Sequence, residues 1–230
     1  MLIKLKSLLP IKLKSQLKKL RKFNAYHDLD KKLLKYVDYQ NGFYIDCGAN
    51  DGVNQSTTWY FEKYLNWKGI LIEPITDVYD ELKKNRSHKN YFYNYALVSS
   101  DYKKDHINFI FNKHDSLQAK SKPKEDFNLK KNENIISVRC TTLKKILNKS
   151  KVPKLIDLFS LDTEGSELDV LKGINFNSIK FKYILIETEF PKKINEYLKK
   201  WGYYFVKRLS NYKFKKNPKF GDYLYSSINK

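Results

Sequence analysis

Three short stretches of this chain place carboxylates beside small residues at the ends of apolar runs. The first is Asp46-Cys47-Gly48-Ala49-Asn50-Asp51-Gly52, which follows Phe43-Tyr44-Ile45. Gly48 and Gly52 let the backbone turn tightly and come close to a ligand. The helix start that should follow offers unpaired N–H groups. The second is Glu73, after Ile70-Leu71-Ile72 and 21 residues beyond Gly52. An acid at the end of a second strand can accept hydrogen bonds from both hydroxyls of a ribose. The third is Asp162-Thr163-Glu164-Gly165-Ser166-Glu167, after an apolar run over 155–161. Carboxylates gathered at a strand mouth can neutralise a cation, hold a metal ion or take a proton from a hydroxyl. Asp162 and Glu164 are the candidates for this role, because Glu167 suits the first turn of a helix, where the dipole favours an acid.

The first two stretches point to a nucleoside cofactor, and the loop chemistry selects among such cofactors. A pyrophosphate site wants G-x-G-x-x-G with a close helix start. Here Asn50 replaces the middle glycine and Asp51 adds a negative charge that would repel phosphate. A cofactor without phosphates tolerates both. S-adenosylmethionine is one, and its sulfonium and ammonium favour nearby carboxylates.

These residues need a scaffold that brings strand ends together. The pattern predicts a helix over 30–39, a strand over 43–47, a helix over 56–65 and a strand over 69–73. A helix over 77–85 and one strand over 91–98 follow. Strands are expected at 106–111, 135–140, 155–161 and 183–188, with helices at 143–147, 167–171 and 194–201. Two closing strands lie at 203–209 and 223–227, joined by a turn over 211–221. Strands alternating with helices imply an α/β domain with a mainly parallel sheet covered on both faces. The closing pair implies an antiparallel hairpin at one edge. In such sheets ligands bind beyond the carboxyl ends of the strands, where the three stretches fall. Residues 112–134 are polar and Lys-rich and read as a long surface loop.

The chain has 230 residues, enough for one large domain. With 45 Lys and Arg against 25 Asp and Glu its net charge is +20, which favours anionic surroundings. Two cysteines, Cys47 and Cys140, exclude a disulfide scaffold and a Cys-based zinc site. Cys47 reads as a small core residue, and a reducing, cytoplasmic setting is expected. No apolar run reaches the roughly 18 residues of a membrane span. Lysines interrupt the N-terminus, so a cleaved signal peptide is not expected. Residues 1–24 form a separate segment in which eight basic residues alternate with Leu and Ile, and no acid occurs. Such a basic amphipathic stretch suits peripheral contact with an anionic membrane face, and equally packing on the domain. His106 and His114 fall in or beside the 99–134 region, where either is a candidate substrate-side base. His27 and His88 read as surface residues near helix ends.

In three blocks the chain resembles the FkbM-type methyltransferases. The first runs from Phe43 to Pro74 and includes Asp46, Gly48-Ala49-Asn50-Asp51-Gly52, Gln55-Ser56-Thr57 and Glu73-Pro74. The second is Asn94-Tyr95-Ala96-Leu97. The third is Asp162-Thr163-Glu164-Gly165-Ser166-Glu167 with Val170-Leu171-Lys172-Gly173. Together they cover roughly residues 27–227, with 25–230 as the catalytic domain. The resemblance implies a class I, Rossmann-like methyltransferase with a seven-stranded sheet. It implies that Asp46, Gly48 and Asn50 line the methionine end of S-adenosylmethionine, that Gly52 also belongs to the cofactor site, and that Glu73 holds the ribose. Asn94 and Ala96 then lie near the adenine, and Asp162 and Glu164 face the methyl-transfer site. Any divalent metal would use Asp162 and Glu164, and whether one is used stays open. Thr57 and Thr58 stand where relatives often show Asn-Thr. The implied reaction is O-methylation of a sugar hydroxyl in a surface glycan, glycolipid or related small molecule, on the cytoplasmic side. Two other readings compete. One is a nicotinamide-dependent oxidoreductase on a similar sheet. The other is a basic RNA-binding or RNA-methylating protein, although no compact RNA-recognition motif is present and no specific nucleic acid is expected.

Overall fold

The computed structural model describes residues 22–112, 120–121, 133–210, 212 and 217–227. The basic segment 1–24, apart from its last three residues, and His114 lie outside the described residues.

Helix α1 (Leu29–Val37) precedes strand β1 (Phe43–Cys47), α2 (Trp59–Leu65), β2 (Lys68–Ile72), α3 (Thr76–Asn85) and β3 (Tyr91–Tyr93). Short β4 (Ala96–Leu97) leads to β5 (His106–Asn112), β6 (Lys120–Ser121) and β7 (Glu133–Thr141). Then come α4 (Leu143–Lys149), β8 (Leu155–Leu161), α5 (Glu167–Lys172), β9 (Lys180–Thr188), α6 (Pro191–Lys199), β10 (Tyr204–Arg208) and β11 (Gly221–Ser226).

Seven strands form the main sheet in the order β10-β11-β9-β8-β1-β2-β3. β9, β8, β1, β2 and β3 are mutually parallel, and β11 runs antiparallel between β9 and β10. The fold is thus the expected mainly parallel seven-stranded α/β sheet, with an antiparallel pair at one edge. β11 is inserted inside β10, so β10 is the edge strand.

Alternation along β1 explains how the sheet is covered on both faces. Phe43, Ile45 and Cys47 point into a core shared with Leu143, Leu147, Val170, Leu171, Ile194 and Leu198 of α4, α5 and α6. Tyr44 points the other way, into a core with Leu33 and Val37 of α1, Phe61 and Leu65 of α2 and Leu82 of α3. Successive strand residues face opposite sides, and here both sides are apolar, as a doubly covered sheet requires. Both cysteines are buried and free.

One expected element divides. The predicted strand over 91–98 becomes β3 in the main sheet and β4 in a second sheet ordered β4-β7-β5-β6. Asn94 causes the break. Its amide donates to the carbonyls of Glu73 (2.9 Å) and Pro74 (3.0 Å), clamping the chain to the end of β2 so that it leaves the sheet. The second sheet, read from sequence only as separate strands, has its own core of Ala96, Val98, Ile107, Phe109, Val138 and Cys140. None of the helices in the described residues is long and apolar enough to cross a membrane.

Candidate functional site

The carboxyl edge of the main sheet carries one row of polar residues. The paired rows end at Cys47 with Ile72, Cys47 with Leu161, and Leu161 with Ile186. One residue further on, the row reads Glu73, Gly48, Asp162 and Glu187. Glu187 pairs in register with Asp222 of the reversed β11. Strands lie about 4.8 Å apart, so these groups form a line across the mouth of the sheet.

Gly48 sits at the centre of the row with φ +79°. A Cβ there would stand 1.8 Å from the Asp162 carbonyl oxygen, so only glycine lets β1 and β8 close at this point. Gly48 N–H and Ala49 N–H both donate to the Ile72 carbonyl, at 3.0 and 3.1 Å. Asn50 adopts φ +51° and donates its N–H to Glu73 Oε2 at 3.1 Å. Asp51 accepts from the N–H groups of Val53 (2.9 Å) and Asn54 (2.6 Å). Its carboxylate therefore shapes the loop locally. Gly52, φ +78°, packs against Leu82 and Arg86 beneath the loop and passes its carbonyl to Arg86. The helix start expected near 56 comes at Trp59, after Ser56 Oγ has accepted the Trp59 N–H.

Asp46 is not among the residues that line the cleft at the mouth of the sheet. It shares the Tyr44 face of β1, is buried, and accepts the Thr58 hydroxyl at 2.6 Å. Arg86, also buried, reaches the same place. Its guanidinium donates to Glu62 (2.9 Å), Tyr44 OH (2.7 Å), the Gly52 carbonyl (3.1 Å) and Thr58 Oγ1 (3.1 and 3.2 Å). Burial works against the Arg86 charge, but Tyr44, Glu62 and Asp46 hold it charged. Burial raises the Asp46 carboxyl, opposed by Thr58 and Arg86. Thr58 thus joins loop to strand, which gives this member of the Thr57-Thr58 pair a role in supporting the loop.

Above this foundation lies a cleft lined by Gly48, Asn50, Gln55 and Glu73, by Asp162, Thr163, Glu164 and Ser166, and by apolar side chains. The apolar wall is Ile75, Val78, Tyr95, Ala96, Ile107 and Phe109, contributed by α3 and the residue before it, the β3–β4 link and the second sheet. Arg139 stacks over the Tyr95 ring from outside at 5.0 Å. Ala96 lines the cleft, whereas Asn94 is turned to Glu73 and Pro74, and Asp46 and Gly52 are not among the lining residues. His106 stands outside, exposed and paired with Asp105 at 2.9 Å. His88 is exposed as expected, but His27 is half-buried, its ring edge-on to Tyr212 with the ring centroids 4.6 Å apart.

Glu73 is buried, and burial, with a smaller push from Asp46, raises its carboxyl to about 7 against the pull of the Ile75 and Asn50 N–H groups. Both carboxylate oxygens are held by backbone, Oε1 by Ile75 N–H at 2.9 Å and Oε2 by Asn50 N–H. At the other end, Asp162, Glu164 and Glu187 bring one carboxylate oxygen each within 4.8 Å of the others. Asp162 is open to the cleft but crowded below. Desolvation and then Glu187, Glu164, Asp222 and Glu167 raise its carboxyl well above the ordinary range. Glu167 opens α5 and turns back to accept the Gly165 N–H at 2.7 Å, a structural role. Three converging carboxylates can face a cationic ligand or a metal ion, or share a proton. Glu187 received no role from the sequence. Its signal was its place at the end of an apolar strand, the same signal that marks Asp162.

A family model described as the Methyltransferase FkbM domain matches residues 46–205. No functionally curated protein matches the chain. Among solved structures, methyltransferase FkbM from Methylobacillus flagellatus KT is similar at 17% identity with a TM-score of 0.50, covering 85% of this chain and 45% of its own. This chain thus spans less than half the length of that relative, and the likeness is one of fold. Precorrin-6y C5,15-methyltransferase from Geobacter metallireducens GS-15 aligns at 11% identity and a TM-score of 0.43, over 86% of this chain and 84% of its own.

Proposed function

The chain belongs to the FkbM methyltransferase family, and on that premise we propose that it is an S-adenosylmethionine-dependent O-methyltransferase acting on a sugar hydroxyl. The acceptor would be part of a surface glycan, glycolipid or related small molecule. One observation carries the cofactor. In a chain of net charge +20, the described residues lining the cleft include Glu73, Asp162 and Glu164 and no Lys or Arg. Such a lining disfavours a pyrophosphate and favours a cation. This separates the reading from a nicotinamide dinucleotide and from a nucleic-acid backbone.

The residues fit S-adenosylmethionine from end to end. Ile75, Val78, Tyr95, Ile107 and Phe109 offer an apolar slot for the base. Glu73, fixed by two backbone donors, suits the ribose hydroxyls. Gly48 and Asn50 bring bare backbone to the middle of the cleft, and Asp162 and Glu164 provide negative charge for the cationic end. When bound, the cofactor supplies an electrophilic methyl group on a sulfonium. The protein's part is to hold an acceptor oxygen in line with that methyl and keep water out; alignment supplies much of the rate.

Transfer of label from methyl-labelled S-adenosylmethionine to nucleotide sugars or lipid-linked glycans, with and without Mg²⁺, tests the reading. Absence of transfer to every sugar, with cofactor binding intact, would remove the acceptor class and leave the cofactor. The charge surplus and the basic segment 1–24 support an anionic acceptor presented at the cytoplasmic membrane face. Deleting 1–24 should abolish binding to vesicles of anionic lipid at low salt. Unchanged vesicle binding would end that part of the proposal.

A further inference from the structure

The order of strands distinguishes the cofactor's side of the mouth from the acceptor's, a distinction that rests on the methyltransferase reading. On that reading the cofactor lies over β2 and β1, with its ribose at Glu73 and its cationic end toward Asp162 on β8. An acceptor oxygen must approach the methyl from the side opposite the departing sulfur. Along the row, the next group beyond Asp162 and away from the cofactor loop is Glu187 on β9. Its carboxylate reaches within 4.8 Å of those of Asp162 and Glu164.

Glu187 is also aimed. Tyr212, between β10 and β11, donates its hydroxyl to Glu187 Oε2. The same hydroxyl lies 3.2 Å from Asp222 Oδ2, which already takes the Ser210 hydroxyl. A neutral phenol has one proton to donate, and with Ser210 serving Asp222 that proton serves Glu187. The Tyr212 ring is fixed in turn by edge contacts with His27 at 4.6 Å and Phe220 at 4.8 Å.

We infer that Glu187 is the catalytic base of methyl transfer and that Tyr212 is the positioning residue that orients it. The acceptor's hydroxyl oxygen forms the new C–O bond. The C–S bond breaks with its electron pair left on sulfur, and the hydroxyl proton passes to the Glu187 carboxylate. Among the described residues, the charged and titratable groups around this carboxylate include Asp162 and Glu164 from the end of β8, Tyr212 from the β10–β11 connection and Asp222 from β11, with His27 and Lys32 acting on Asp222.

The test uses the full chain and S-adenosylmethionine labelled with carbon-13 at the methyl, whose bound resonance is followed against pH. Wild type should show a pH response to which Glu73 and Asp162 also contribute, and from which Glu187→Gln removes one inflection. Tyr212→Phe should keep it but move it to higher pH, because a hydrogen bond donated to a carboxylate favours its charged form. On the nucleotide sugar that wild type methylates fastest, Glu187→Gln should lower kcat roughly 10²- to 10⁴-fold, with the cofactor Kd changed less than about threefold. Tyr212→Phe should lower kcat about tenfold and shift its pH profile in the same direction. An unchanged inflection in Glu187→Gln, or loss of cofactor affinity and melting temperature in step with kcat, would overturn the assignment. Should wild type methylate no sugar, the resonance alone decides. Absence of any bound resonance in wild type would instead overturn the cofactor reading itself, and the base assignment with it.

Discussion

The two ends of the cleft both present carboxylates at strand ends, yet they are built in opposite ways. At the β2 end, Glu73 is alone, buried, and held through both oxygens by backbone N–H groups. At the β8–β9 end, Asp162, Glu164 and Glu187 converge within 4.8 Å, and side-chain hydroxyls meet the acids behind them. A carboxylate fixed by main chain has one geometry and can serve as a grip. Carboxylates that crowd one another cannot all ionise together, so they titrate in separate steps and can share a proton. The difference separates holding from reacting, and it can be attacked at either end or at the hinge between them.

The hinge is Gly48, and breaking it should have the largest effect. Gly48→Ala places a Cβ 1.8 Å from the Asp162 carbonyl at a φ of +79°. Either β1 and β8 separate or the loop is rebuilt, and both ends lose their shared reference. The expected result is a loss of about 4–5 kcal/mol or more, read by urea denaturation, with no measurable cofactor binding by calorimetry. Next is the foundation beneath the holding end. Arg86→Met removes a buried cation and leaves Glu62 without its partner at 2.9 Å. Unpairing a buried ion pair costs about 3–5 kcal/mol. The melting temperature should fall steeply while residual cofactor affinity, measured on the folded fraction, changes far less.

Glu73 sharpens the comparison through pH. Its carboxyl stands at about 7 in the fold against an ordinary 4.5, so between those values the folded state binds more protons than the unfolded chain. Stability from this group is therefore greatest below pH 4.5 and is lost as pH rises to about 7, by about 3 kcal/mol at about 1.4 kcal/mol per pH unit. Glu73→Gln should flatten that part of the stability–pH curve. It should also weaken cofactor binding about tenfold or more, because an amide cannot accept from both Asn50 and Ile75 and still serve a ribose. A variant that gained stability near pH 8 and kept full affinity would show that Glu73 is no grip.

How much of this was legible in the sequence depends on where each residue's role is decided. Strand-end acids after apolar runs are local signals, so Glu73, Asp162 and Glu164 were found, as was the glycine loop between them. The doubly covered sheet was legible because both faces of its central strands are apolar. The surroundings of Asp46 were not legible because the alternation of β1 decides its direction: it shares a face with Tyr44 and accepts from Thr58, 12 residues away, and Thr58 in turn accepts from Arg86, 28 residues further on, contacts that local pattern does not encode. Asn94 was placed at the adenine, but its amide found two carbonyls one strand away. The second sheet escaped because its pairings join β4 and β5 to β7 across the polar stretch between 112 and 133. Glu187 acquires its meaning only from its neighbours in the row.

The smallest effect is expected at Asp222, where the reacting end can be probed without touching the cleft lining. Asp222 is buried, and burial raises its carboxyl while Ser210, Tyr212, His27 and Lys32 oppose the shift. As for Glu73, a raised folded pKa makes this group's contribution fall as pH rises above the ordinary carboxylate range. In Asp222→Asn the amide oxygen can still accept the Ser210 hydroxyl. The new N–H₂ can donate to the Tyr212 oxygen, which frees the phenol proton for Glu187 without competition. Urea denaturation should thus give stability equal to wild type at low pH and slightly higher at pH 8, with cofactor affinity unchanged. Turnover should persist, because the base and its orienting hydroxyl are both retained. A large loss of stability at pH 8 would mean that Lys32 and His27 require the Asp222 charge. The acids of the β8–β9–β11 end would then be an ion-pair scaffold like the one under Arg86, and the contrast between the two ends would fail.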